Sequence, residues 1–381
     1  MSLLASAILG LIVIGATLGA VPYLILLERK VAAYVQDRLG PNRVGPRGIF
    51  QPIADGLKIF FKEHFIPGQA NRFLFILGPS LSMLSAMAVL AVIPFAGVLT
   101  LPRWDLKIPI QIVPNLDIGI IYVVFVAIGS VYGTILGGWA SNNKYSFYGA
   151  LRSVSQILCY EIPLGLCLLA AFLIFADLRL ERAVLWQTQH GWLVIYQPVL
   201  FGIMAVCTFA ETNRLPFDTP EAEQELVAGY HTEYSSMEFG LFFLGEYAHL
   251  IAAAALLVTV FFGGWHFPYL TPGVEGSVIQ TLVKLAVFSA KVLAVIFVFM
   301  WVRWTLPRFR FDQSLRVGWQ LLLPLALALL VVTTVLAWFG LAGTIWMTLA
   351  NVGVLAGTYG WFVLKDWIWT KKISSTSMHR S

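Results

Sequence analysis

The chain has 381 residues, of which 59% are hydrophobic and only 12% charged, with a formal net charge of +5. Ordinary soluble domains carry roughly 45–50% apolar and about 25% charged residues, so a water-surrounded globule is excluded and lipid is the expected solvent. The positive balance does not point to nucleic acid, because the basic residues are spread between apolar runs, as membrane topology requires.

The first 27 residues carry no charge, enough for a helix across a core that takes about 20 residues. They lack a basic start and run straight into Glu28, Arg29 and Lys30, so this segment is expected to stay as the first span and not to act as a cleaved signal. Gly40 to Gly48 follows, a glycine- and proline-rich loop without the Gly-Lys-Ser/Thr ending of a phosphate loop. From Ile49 to Glu63, helical spacing gathers Ile53, Leu57, Phe60 and Phe61 on one side, with Asp55, Lys58 and Lys62 elsewhere, the pattern of a helix lying in the membrane interface. Such a helix suits a doorway for a lipid-soluble molecule with a polar head, and equally an anchor or a docking surface.

Apolar runs then predict spans near 73–99, 118–140, 153–176, 193–211, 239–265, 278–302, 318–339 and 344–364, making about nine with the first at 3–27. The last two come from one uncharged stretch of 48 residues, Val317 to Leu364, too long for a core of ~30 Å, and the turn is expected at Phe339 to Gly343. With the N-terminus outside, the inside loops collect 19 basic residues, from Arg29 to Arg380, against four outside, Arg103, Lys107, Arg179 and Arg182. That bias sets a topology with the C-terminus in the cytoplasm. Gly129, Gly133 and Gly137 recur every four residues and predict a close helix contact on that face. The expected fold is all-α: a single polytopic bundle over 1–381 with an interfacial helix, a cytoplasmic loop at 28–72, an acidic loop at 211–238 and an additional C-terminal span at 344–364.

Cys159, Cys167 and Cys207 lie in apolar runs without a CxxC pair, so neither zinc nor an iron–sulfur cluster is expected in this chain. The acids are more informative. Glu161 and Glu246 fall inside apolar spans, where a carboxylate costs several kcal/mol unless paired, hydrated or protonated, and marks a functional position by default. Between spans five and six, Glu211, Asp218, Glu221, Glu223, Glu225 and Glu233 accompany one arginine, Arg214. Crowded carboxylates raise one another's proton affinity, so a proton-collecting loop stands beside the plainer reading of a solvated one. Thr219-Pro220-Glu221 reads as a helix start. Lys291, in mid-span, needs an acid partner or a lowered proton affinity. His231 and His249 are expected as hydrogen-bonded structural histidines before proton carriers.

Glu28-Arg29-Lys30, Gly40 to Glu63, and Phe209-Ala210-Glu211-Thr212-Asn213-Arg214-Leu215-Pro216-Phe217-Asp218 through Tyr234 strongly resemble the H subunit of NADH-quinone oxidoreductase, respiratory complex I. The resemblance covers roughly residues 15–310. It implies a bacterial inner-membrane subunit, without a redox centre of its own, joining the peripheral electron-transfer arm to the membrane arm. Quinone is the implied substrate, and NADH, FMN and iron–sulfur clusters sit in partner subunits, the terminal cluster in an adjacent hydrophilic one. Carried over, Glu28, Arg29, Arg38, Asp55, Lys58, Lys62 and Arg214 line or shape the quinone passage. Glu161, Glu211, Asp218, Glu221, Glu223, Glu225 and Glu246 form an acidic proton path. Two other readings stand beside it: the equivalent subunit of a membrane-bound hydrogenase, and a stand-alone secondary ion transporter coupled through Glu161, Glu246 and Lys291.

Overall fold

A computed structural model describes residues 3–101, 106–220, 223–271 and 273–378. Glu221, Arg103 and Arg380 lie outside the described residues, and the side chain of Glu223 is likewise not described.

The opening apolar run forms α1 (Leu3–Val35), which continues through Pro22. The loop expected from residue 28 therefore begins eight residues later, after Val35, because no glycine or proline between Glu28 and Val35 breaks the helix, and Glu28 and Arg29 stand in the last turns of α1. In the loop that follows, Gly48 has φ +79 and a Cβ there would lie 2.1 Å from the Pro41 carbonyl oxygen, so only glycine fits. Lys30 Nζ ties this loop to α1 through the Arg47 carbonyl at 2.7 Å. The interfacial helix is α2 (Gln51–Phe61). It buries no residue in this chain, and Ile53, Leu57, Phe60 and Phe61 remain exposed along it.

The bundle proper comprises α3 (Arg72–Val89), α4 (Gly119–Ala140), α5 (Lys144–Phe175), the outer helix α6 (Leu180–His190), and α7 (Leu193–Tyr196) with α8 (Pro198–Glu211). The one-turn α9 (Glu223–Leu226), α10 (Ser236–Phe261), α11 (Val278–Thr305), the short α12 (Phe311–Arg316), α13 (Leu323–Trp338) and α14 (Ile345–Met378) complete it. Among the described residues, seven helices are long and apolar enough to cross a membrane. The fifth expected span is broken at Gln197 into α7 and the 14-residue α8, and the ninth falls on α14. The chain turns between Trp338 and Ile345 with Gly340 and Gly343 at positive φ, where the apolar stretch was expected to reverse.

The glycine face of α4 packs as its spacing predicts. A Cβ on Gly133 would come within 2.7 Å of the Gly78 carbonyl oxygen of α3, and one on Gly129 within 3.1 Å of Ser85 Cβ. A small sheet departs from the all-helical expectation: β1 (Val98–Leu101) pairs antiparallel with β2 (Leu106–Pro109) and parallel with β3 (Glu275–Gly276). Strands of four residues or fewer leave no alternation long enough to read. The core gathers around α5, α8 and α10, with Tyr160, Cys167, Cys207, Leu250 and Phe261 almost fully buried.

Candidate functional site

Two loops join helices at the same end of the bundle, one between α1 and α3 and one between α8 and α10. Beneath them, the last turns of α1 and α11 meet the start of α10 and the loop after α8. Glu28, 4% exposed, is the hub. One carboxylate oxygen accepts from Arg214 Nη1 at 3.0 Å and from the Tyr247 hydroxyl at 2.8 Å, and the other accepts from Arg303. Arg214, 1% exposed, stacks its guanidinium 4.3 Å from the Tyr247 ring centroid and brings Nε to 3.6 Å from Glu246. Two arginines therefore face two glutamates, a balance that a buried cluster requires because unpaired charge in an apolar interior is costly.

The rest of the α8–α10 loop folds over this cluster. Asp218 pairs with Arg308 at 2.6 Å. Buried Gln156 of α5 donates to the Ala210 and Phe217 carbonyls and accepts from Thr219, which pins the loop to the bundle. Glu233 accepts from Asn143 at 2.5 Å, and Glu225 pairs with Arg152 near the surface. The loop is thus bonded to the protein as well as solvated.

Deeper in the bundle the pairing thins out. Glu211, at the end of α8, meets His249 Nε2 at 3.3 Å. Glu161 of α5 has one carboxylate oxygen buried without a hydrogen-bond partner in the chain, and its helix continues through Pro163. Three small cavities join these acids to the Glu28 cluster. One of about 30 Å³ is walled by Glu161, Glu211 and His249. The next, about 20 Å³, shares Glu211 and His249 and adds Asn213, Tyr230 and Glu246. The third, about 110 Å³, shares Asn213, Tyr230 and Glu246 and reaches His231, Tyr247 and Arg303. Each exceeds the roughly 10–15 Å³ a water occupies, so each has room for at least one water molecule. Burial pulls the His231 imidazole down to about 4, so this side chain is neutral at pH 7.

Of the residues expected at a quinone passage, Glu28 and Arg214 come together in the cluster. Arg29 and Asp55 form a separate pair at 2.6 Å, with Asp55 also held by Gln51 at 3.0 Å, which fastens α2 to α1. Arg38 is exposed and donates to Gln36 at 2.7 Å, while Lys58 and Lys62 are exposed along α2. Of the acidic set, Glu246, Glu211 and Glu161 fall on one line of cavities and Asp218 and Glu225 pair with arginines at its loop end. Among the described residues no group of three His, Cys, Asp or Glu residues could hold a metal.

Two findings add to the sequence reading. Lys291, by its mid-span position, calls for an acid or a lowered proton affinity. In place of an acid partner, its ammonium donates to the carbonyls of Phe262, Gly264 and His266 at 2.6, 3.0 and 2.5 Å, because the chain leaving α10 offers its unpaired carbonyls there. Arg303, Tyr247 and Arg308 do not stand out in the sequence, since a basic residue closing a span and a tyrosine beside an acid look ordinary until the helices meet.

The NADH dehydrogenase family profile matches residues 7–334. The chain is 46% identical over 307 residues to an H subunit of NADH-quinone oxidoreductase from Cytophaga hutchinsonii, covering 80% of this chain and 89% of that one. It is 46% identical over 312 residues to an H subunit of the same enzyme from Geobacter metallireducens, covering 82% and 90%. Similarity to NADH-quinone oxidoreductase subunit 8 of Rhodothermus marinus is 43% over 334 residues, covering 85% and 94%.

Proposed function

This chain belongs to the NADH dehydrogenase family, and from that premise we propose that it is the membrane subunit of an NADH-quinone oxidoreductase that walls the quinone chamber and passes the proton demand of quinone reduction into the membrane arm. The observation that supports the reading is the series Glu28–Arg214–Glu246 and Glu211–His249, followed by Glu161, flanked by three cavities whose linings overlap.

NADH, FMN and the iron–sulfur clusters belong to partner subunits, so electrons reach the quinone from outside this chain. The exposed apolar side of α2 rests among lipid headgroups, and Arg29, Arg38, Asp55, Lys58, Lys62, Glu28 and Arg214 shape the approach of the quinone head beside it. Reduction of the quinone takes up protons with the electrons. A change in charge at the head perturbs the Glu28–Arg214–Arg303–Glu246 cluster, because buried ion pairs are little screened by solvent. Glu211 and Glu161, poor in cationic partners, are the groups able to exchange a proton in response. Asp218, Glu221, Glu223 and Glu225 gather protons at the loop. The chain is a multi-pass protein of the bacterial inner membrane, N-terminus outside and C-terminus cytoplasmic, with the span at 344–364 as an addition beyond the matched family region. Its partners are the other complex I subunits, quinone and membrane lipids, and nucleic acid is not among them.

The test is Glu211→Gln in the assembled enzyme. Quinone-coupled turnover and proton transport are expected to fall about 100-fold, the low end of what a positioned proton-transfer group contributes. NADH oxidation by a hydrophilic artificial acceptor stays near the unmodified rate. Unchanged quinone turnover rejects the path.

A further inference from the structure

A cavity larger than those of the acidic line lies apart from them. It is a groove of about 770 Å³ between α8, α11 and the start of the segment leading into α13, walled by apolar side chains such as Phe209, Val298, Phe299 and Val302. Along α11 it runs from Lys291 to Leu306, roughly 22 Å at 1.5 Å per residue. Lys291 stands halfway along α11, so the groove occupies only the half of the bundle nearer the acidic loop. Its far end is closed by aromatic rings, with Trp192 packed 6.0 Å from Phe262 and 5.8 Å from Phe267 between centroids.

These dimensions decide between occupants. A partner helix crossing the membrane needs a seat as long as the core, about 30 Å, and the aromatic closure denies it one. A quinone head needs hydrogen-bond donors. Lys291 is the charged residue on the wall, and its ammonium is already bonded to three backbone carbonyls, which leaves the buried indole nitrogen of Trp192, without a hydrogen-bond partner in the chain, as a lone side-chain donor for a head that carries two carbonyls. Fatty acyl chains need only apolar walls and the depth of one leaflet, and the groove supplies both.

The open end says which headgroup. Phe309 and Val317 line the groove, and next to them in the chain stand Arg310 and Arg316. Both are exposed and, among the described residues, neither pairs with a carboxylate, in contrast to Arg308, which is held by Asp218. A guanidinium at headgroup depth recognises a phosphate by charge and by its forked donors. We infer that this groove is a binding site for an anionic phospholipid of the leaflet on the acidic-loop side, with acyl chains between α8 and α11 and its phosphate at Arg310 and Arg316. The inference is independent of the proton path and holds whether or not that path conducts.

The experiment uses the assembled enzyme in nanodiscs of phosphatidylcholine doped with a trace of phosphatidylglycerol or phosphatidylcholine carrying a photoreactive group on one acyl chain. The labelled peptides are mapped by mass spectrometry. The phosphatidylglycerol probe is expected to label peptides of α8 and α11 that contain Phe209 and Val298, and unlabelled phosphatidylglycerol but not phosphatidylcholine is expected to compete. Arg310→Gln and Arg316→Gln should each cut that preference about fivefold, the contribution of one basic residue near an anionic lipid. Val298→Trp should abolish labelling by filling the groove. Equal labelling and competition by the two headgroups overturns the inference, as does displacement by a short-chain quinone or cross-linking of another subunit across the groove. The competition in the unmodified enzyme decides the matter even if a variant fails to assemble.

Discussion

The Glu28 cluster and the Glu161–Glu211–His249 group are both made of ionisable side chains inside apolar helices, yet they are built differently. Around Glu28 every carboxylate faces an arginine, and Tyr247 contributes both a hydrogen bond and a ring face. Around Glu161, two carboxylates have one histidine between them, and one oxygen has no hydrogen-bond partner in the chain. Balanced charge fixes geometry, because separating any one partner strands another in a medium that penalises it. Unbalanced charge leaves the proton content open to change, since neither the charged nor the neutral state is fully satisfied. The first region thus holds the helix ends together where the loops meet, and the second is suited to exchanging a proton.

The contrast is most severely tested by Arg214→Met, which removes the cation shared by Glu28 and Glu246. A loss of about 3–5 kcal/mol is expected, the cost of breaking a buried pair from one side, seen as failed assembly or a much lower unfolding temperature of the purified complex. A fully stable variant would mean that the cluster does not hold the helices. The cavity beside the Glu28 cluster supplies the next test through His231, whose imidazole burial holds at about 4 against an ordinary value of 6.5. Its folded proton affinity is the lower one, so the unfolded chain binds the extra proton. Stability is complete above pH 6.5 and is lost as pH falls towards 4, by about 1.4 kcal/mol per pH unit. His231→Gln should flatten that slope in thermal scans between these limits. The smallest stability effect belongs to Glu161→Gln, expected within about 0.5 kcal/mol because little in the chain holds the carboxylate, while proton transport by the assembled enzyme falls. Marked unfolding of that variant would show that Glu161 is anchored after all and would erase the distinction.

Part of this contrast is already readable in the chain. Glu161 and Glu246 stand out because an acid in an apolar run is rare and expensive, and the crowding of acids after Glu211 around a single arginine is equally plain. What the sequence leaves open is which acid meets which base. Glu28 and Arg214 lie 186 residues apart and Glu28 and Arg303 lie 275 apart, and no local pattern relates them. Lys291 shows the same limit from the other side: its charge is met by backbone carbonyls, which every residue carries and no sequence advertises.

Hydrophobicity and periodicity by themselves located the seven long apolar helices, the turn near Gly340, the apolar side of α2 and the close contact along Gly129, Gly133 and Gly137, because lipid and close packing act on each segment locally. Helix stops were less legible: α1 ran past residue 28, and the span at 193–211 broke at Gln197, ahead of Pro198, inside a run that apolar composition alone reads as continuous. Only the tertiary structure decided the neutralised cluster at Glu28, the under-paired acids behind it and the half-length groove on α11. Each of these is a relation between surfaces from distant parts of the chain, and its energy exists only once the helices have packed.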